Sequence, residues 1–117
     1  MLIMIGTDGT ELTSKVAKRF GHARYYIKYN ENANIIEVID NPEHDEKHQV
    51  LIDAINNGVN VFIVGNIGPH AFSILNREGV KIYLARNISS KEALEKLRNN
   101  ELELLTEPTV KKSMHKH

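Results

Sequence analysis

Val61-Phe62-Ile63-Val64 is apolar at four consecutive positions and is closed at once by Gly65-Asn66-Ile67-Gly68. A strand wet on one face alternates apolar and polar residues. An unbroken run of this kind instead predicts a central parallel strand, covered on both faces. Parallel neighbours need crossover connections, normally helices, and helices on both faces of a sheet make three layers.

The flanking segments supply the other parts. Leu2-Ile3-Met4-Ile5, closed by Gly6-Thr7-Asp8-Gly9, reads as a buried first strand. Tyr25 to Tyr29 and Ile35 to Ile39 are β-branched and aromatic, and Asn30 to Asn34 between them tolerates left-handed backbone, so they predict an antiparallel hairpin ended by Asn41-Pro42. After Pro42 the period changes. Leu51, Ala54, Ile55 and Gly58 predict a helix from about His44 or Lys47 to Asn57, with Gly58 as its stop. Pro69 suits the first position of a second helix whose core side is Ala71, Phe72, Ile74 and Leu75, ended by Gly79. Val80 to Leu84 reads as a strand. Ser89-Ser90-Lys91-Glu92 reads as a capping box opening a last helix with Ala93, Leu94 and Leu97 inward. Leu102, Leu104 and Leu105 form a short closing segment, and the chain loosens from Thr106. The order β, hairpin, αβαβα predicts an α/β fold: a three-layer α/β/α domain over residues 1–107 with a five-stranded mixed sheet, followed by a flexible basic tail at 108–117.

Charge and cysteine content exclude much chemistry. Fifteen Lys and Arg balance fifteen Asp and Glu, with six His and no Cys. A chain without net charge does not bind nucleic acid or anionic lipid through bulk electrostatics. The balance hides a segregation: residues 1–30 hold five basic side chains (Lys15, Lys18, Arg19, Arg24, Lys28) against Asp8 and Glu11, whereas residues 31–53 hold seven acids against Lys47. Apolar runs of four or five residues fall far short of the roughly 20 that span a bilayer. No targeting segment is visible, so a cytoplasmic protein without a membrane partner is expected. The absence of Cys removes disulfides, thiolate nucleophiles and Cys-held clusters. Neither a G-x-x-x-x-G-K-[ST] nor a G-x-G-x-x-G loop occurs, and no Ser sits in a G-x-S-x-G elbow.

Ligands of open α/β sheets collect beyond the carboxyl ends of the strands. Thr7-Asp8-Gly9, Asn66 to His70 and Ala85-Arg86-Asn87 meet that description. Gly68-Pro69-His70 opens a helix, so free N–H groups there accept anions. Among the histidines, His22 follows Gly21 in a loop, His70 lies just inside a helix, and His44 and His48, four apart, share one face if helical and could hold a metal together.

Arg19-Phe20-Gly21-His22-Ala23, then the hairpin and Asn41-Pro42, then Val61 to Ala71 with its G-x-I-G-P-x-A element, resemble the dinitrogenase iron–molybdenum cofactor biosynthesis family over residues 1 to about 105. The resemblance implies a ribonuclease H-like fold and a protein that binds an iron–sulfur or iron–molybdenum-type cluster and hands it on rather than catalysing a reaction. It places the cofactor-binding residues at Arg19, Phe20, Gly21, His22, Gly65, Asn66, Gly68 and His70, with His44 and His48 close by. Many members read H-F-G-R-A, whereas here Arg19 precedes Phe20 and the imidazole has moved by three residues to His22. Without Cys, candidate metal ligands are His22, His44, His48 and His70, aided by backbone amides, Arg19 and Arg24. The expected partner is a cluster-assembly or cluster-accepting protein, with the chain a monomer or weak homodimer. The alternative expectation is a regulatory or protein-interaction module of the same fold without metal.

Overall fold

The computed structural model describes residues 1–41 and 48–110. The strands are β1 (Leu2–Thr7), β2 (Tyr25–Asn30), β3 (Ile35–Asp40), β4 (Val59–Val64), β5 (Lys81–Leu84) and β6 (Glu103–Leu104). The helices are α1 (Gln49–Asn56), α2 (Pro69–Arg77) and α3 (Ser90–Arg98), with a 3-10 turn at Phe20–His22. The sheet order is β3-β2-β1-β4-β5-β6. β1, β4 and β5 run parallel, while β2 and β3 on one side and β6 on the other are antiparallel to their neighbours.

The sheet therefore has six strands, not the expected five. Leu104 and Glu103 pair with Tyr83 and Leu84, so the closing segment is itself a short edge strand. Two residues carry no periodicity, which is why sequence pattern alone cannot find it.

Side chains alternate across the sheet and fill two cores. Met4, Tyr26, Phe62, Val64 and Ile82 pack with Leu51 and Ala54 of α1 and with Ala71, Phe72 and Leu75 of α2. Ile3, Ile5, Ile27, Val61 and Ile63 point the other way, against Ala93 and Leu94 of α3. Phe62, Ile63 and Val64 are fully buried, as a strand covered on both faces requires. No helix among the described residues is long and apolar enough to cross a membrane.

Local chemistry sets the ends. Gly58 stops α1 in a left-handed conformation (φ +99°) that L side chains rarely adopt. Pro69 is the first residue of α2, and Ser89 caps α3 by accepting the Glu92 N–H at 3.1 Å. The start of α1 differs from expectation. His48 is its N-cap and is itself left-handed (φ 54°, ψ 37°); His44, paired with it by sequence spacing, lies outside the described residues. In the β2–β3 turn the left-handed residue is Ala33 (φ 65°), not one of the Asn. The Asn30 side chain holds that turn by accepting the N–H of Asn32 (2.9 Å) and of Asn34 (3.0 Å).

The packed chain runs past the expected boundary at 107. The Thr109 hydroxyl accepts the Ile67 N–H at 2.7 Å, and the Thr109 N–H donates to the Ile67 carbonyl at 3.0 Å.

Candidate functional site

From β1 the chain moves outward to β2 and β3; from β4 it moves the other way, to β5 and β6. The order therefore reverses between β1 and β4, and an open α/β sheet has its natural crevice beyond the carboxyl ends of such a pair. Here residues 16–20 occupy the floor of that crevice. The Ala17 N–H donates to Gly6 O of β1 (2.8 Å), the Asn66 N–H to Lys18 O (2.8 Å), and the Phe20 N–H to Asn66 O (2.8 Å). Arg19 and Asn66 thus form a parallel bridge that joins the two sequence segments singled out above.

Gly65 makes this close approach possible. A Cβ there would collide with the carbonyl oxygen of Ala17 and lie 2.9 Å from that of Lys18. Phe20 anchors the other side. Its ring is fully buried, edge-on to Tyr26 (5.2 Å between centroids) and to Phe62 (6.2 Å), and its carbonyl accepts the Tyr26 hydroxyl at 2.8 Å. Phe20 therefore places the turn Phe20–His22 but presents no ring to a ligand. Buried Asn41 ties the hairpin to the same loop, donating from Nδ2 to Ala23 O at 2.9 Å.

What faces outward on this scaffold is basic. Lys18, Arg19, Arg24 and Arg86 are exposed, and among the described residues none of the four is in an ion pair. Arg86 is positioned: its Nε and Nη2 donate to Asn66 Oδ1 at 3.1 and 2.8 Å. Arg24 lies over the Tyr25 ring, 5.6 Å from its centroid. The start of α2 has no side-chain cap, so the His70 and Ala71 N–H groups precede its first internal bond, Phe72 N–H to Gly68 O at 3.1 Å. Oriented cations around uncapped amides favour an anion.

His70 is exposed and His48 half-buried, and their rings meet with centroids 5.0 Å apart. Gly21 lies alongside, its Cβ direction 3.8 Å from Cε1 of His48. His22 is exposed at the end of the 3-10 turn. The structure thus brings Arg19, Gly21, Gly65, Asn66, Gly68, His48 and His70 to one end of the sheet. No group of three or more His, Cys, Asp or Glu among the described residues is placed to hold a metal.

The sequence model of the dinitrogenase iron–molybdenum cofactor family matches residues 1–100. The chain belongs to that family. An uncharacterised protein of Methanocaldococcus jannaschii is 31% identical over 97 residues, spanning 77% of this chain and 82% of its own length. A Thermotoga protein described as a candidate NifB protein is 33% identical, with a TM-score of 0.80 over 93% of this chain and 97% of its own. The apo form of the orange protein of Desulfovibrio gigas shares the fold at 22% identity, with a TM-score of 0.80 over 93% of this chain and 96% of its own.

Three contributors escaped the family motifs. Val16-Ala17, the inserted floor, has two apolar residues in a polar stretch and no periodicity. Asn66 as the orienting partner of Arg86, and Thr109 over Ile67, are long-range pairings with no local signal. A groove of about 630 Å³ lies at the other end of the sheet, among Ile3, Val61, Lys81, Leu94, Leu97 and Arg98. It shares no residue with the basic rim.

Proposed function

We propose that this family member is a non-enzymatic binding or carrier module for an iron–sulfur-type metallocluster resembling the iron–molybdenum cofactor, acting in the cytoplasm in cluster assembly or transfer. The observation that carries this reading is the basic rim at the switch point, where Arg19 and Asn66 bridge and Lys18, Arg19, Arg24 and Arg86 are exposed without ion pairs among the described residues. Sulfide-bridged clusters are commonly anionic and bring their own bridging ligands, so a protein without Cys can hold one through cations, amides and imidazole. Arg19, Asn66, Gly68, His22 and His70 are the residues assigned to contact, with Phe20, Gly21 and Gly65 shaping the support. His44, His48 and His22 join His70 as candidate metal ligands. The ribonuclease H-like description of the fold belongs to this same reading, as does a cluster-assembly or cluster-accepting partner.

Anaerobic titration of the purified chain with an isolated iron–molybdenum cofactor or iron–sulfur donor tests the reading. Charge-transfer absorbance with bound iron in whole-number ratio to protein is expected, and Arg19→Ala combined with Arg86→Ala weakens binding by roughly tenfold or more. Absence of both charge-transfer absorbance and bound iron contradicts it.

A second reading, a regulatory or protein-interaction module without metal, is favoured by the edge strand β3, which exposes Ile35 (43%), Ile36 (51%) and Val38 (42%). Capture of a specific protein by the metal-free chain, abolished by Ile36→Lys, favours this reading over the first.

A further inference from the structure

The groove at the amino ends of the strands joins an apolar lining to two cations, Lys81 and Arg98, that have no acidic partner among the described residues. Element lengths open it. α3 begins near the carboxyl ends of the strands, where the Ser90 N–H donates to Ser14 O at 2.9 Å, and runs back along the sheet. Its nine residues rise about 13 Å, whereas the six residues of β1 or of β4 span about 20 Å. The helix therefore stops short of the strand starts, and left-handed Asn100 (φ 58°) turns the chain away toward β6. β6 pairs only with Tyr83 and Leu84 of β5, which leaves the groove open beside Lys81.

Lys81 breaks the strand pattern. Register sets Ile3 beside Val61 and Val61 beside Lys81, so an exposed lysine ends an otherwise apolar row on the face that α3 covers. Its carbon stem can follow that row while the ammonium stays at the mouth. Leu97 and Tyr83 are only half-buried, so apolar wall remains to be covered, and exposed Arg98 adjoins Leu97 at the helix end. Glu31, the one acidic residue among the described lining, already holds the Met1 amine at 3.0 Å. The two cations thus keep their charge uncompensated. The volume of about 630 Å³ lies within the roughly 300–1,000 Å³ of small-molecule sites.

We propose that this groove binds a small amphipathic carboxylate, its aliphatic body between Leu97 and Tyr83 and its charged end at Lys81 and Arg98. The ligand is a free molecule, because the lining forms a recess between helix and sheet and not a protruding face that meets a membrane. The site shares no residue with the basic rim, so its success or failure leaves the carrier reading untouched.

Amide NMR titration of the isotopically labelled full chain with decanoate, kept below its micelle-forming range, is the test. Saturable shift changes centred on Lys81, Leu97, Arg98 and Asn100 are expected. Acetate lacks the apolar body and decyltrimethylammonium reverses the charge; each binds more weakly by roughly tenfold or more. Lys81→Gln combined with Arg98→Gln weakens decanoate binding by roughly tenfold or more. Both positions are exposed, and the amide spectra confirm that the fold is kept. Lys81→Glu combined with Arg98→Glu turns the preference toward decyltrimethylammonium. Wild-type decanoate affinity in the double Gln variant leaves Lys81 as a mere guard of the sheet edge and overturns the proposal. So do an absence of saturable shifts, shifts centred on Arg19 and Arg86, or binding to phosphatidylglycerol vesicles without binding of monomeric decanoate.

Discussion

Single residues decide whether the rim exists. Gly65 is the tightest: with the carbonyl oxygens of Ala17 and Lys18 against it, a methyl group has no space. Gly65→Ala is expected to lower stability by about 3 kcal/mol, measured by urea denaturation, because backbone rather than a flexible side chain must give way. Sequence patterning marks Gly65 only as the end of a strand; the reason for the glycine is a carbonyl from a segment far away in the chain. Phe20 shows the same limit, since the motif identifies the residue but not that its ring belongs to the core. Tyr29 carries the pH dependence that the structure supports. It is fully buried on β2, and burial raises its phenol above the usual 10.0, an effect the neighbouring Ser90 hydroxyl opposes only in part. The native state then holds the phenol proton more tightly than the unfolded chain. This contribution is complete below the unfolded-state value and is lost as pH climbs through the folded one. Tyr29→Phe is expected to change stability at neutral pH by no more than about 1 kcal/mol, and to lose less stability than wild type in denaturation curves recorded above pH 10.

Elements with a period or a cap were legible in the sequence. The strand at Val61 to Val64, the hairpin, the Pro69 and Ser89 helix starts and the Gly58 stop follow from patterns a few residues long. What was not legible depends on pairing at a distance: the two-residue β6, the left-handed start of α1, and the C-terminal strap. Local bonds still hold these pieces in measurable ways. Asn30→Ala removes the acceptor for two turn amides and is expected to cost about 1 kcal/mol in thermal denaturation. Thr109→Val keeps the shape but leaves the Ile67 N–H without its 2.7 Å acceptor. It is expected to cost about 1 kcal/mol and to speed amide exchange at Ile67 while leaving β1 unchanged. Exchange at Ile67 as slow as in wild type contradicts the strap.

On the scale of the whole molecule, a zero net charge resolves into an uneven surface. The basic residues of the first thirty positions are divided by the fold: Lys18, Arg19 and Arg24 gather at the carboxyl end of the sheet with Arg86, while Lys28 is buried against Glu37 at 3.1 Å. Topology does the gathering, because the reversal between β1 and β4 brings two remote motifs to one crevice. The histidines are sorted likewise. The fold sets the His48 and His70 rings against each other, with centroids 5.0 Å apart. The central claim is that this rim, rather than the groove at the opposite end, receives the ligand. Amide NMR of the isotopically labelled chain with a paramagnetic iron–sulfur cluster added anaerobically tests it directly. Broadening confined to residues 18–22, His48, residues 65–70 and Arg86 is the predicted result. Broadening centred on Lys81, Leu97 and Arg98 around the groove, or no localised broadening, contradicts it.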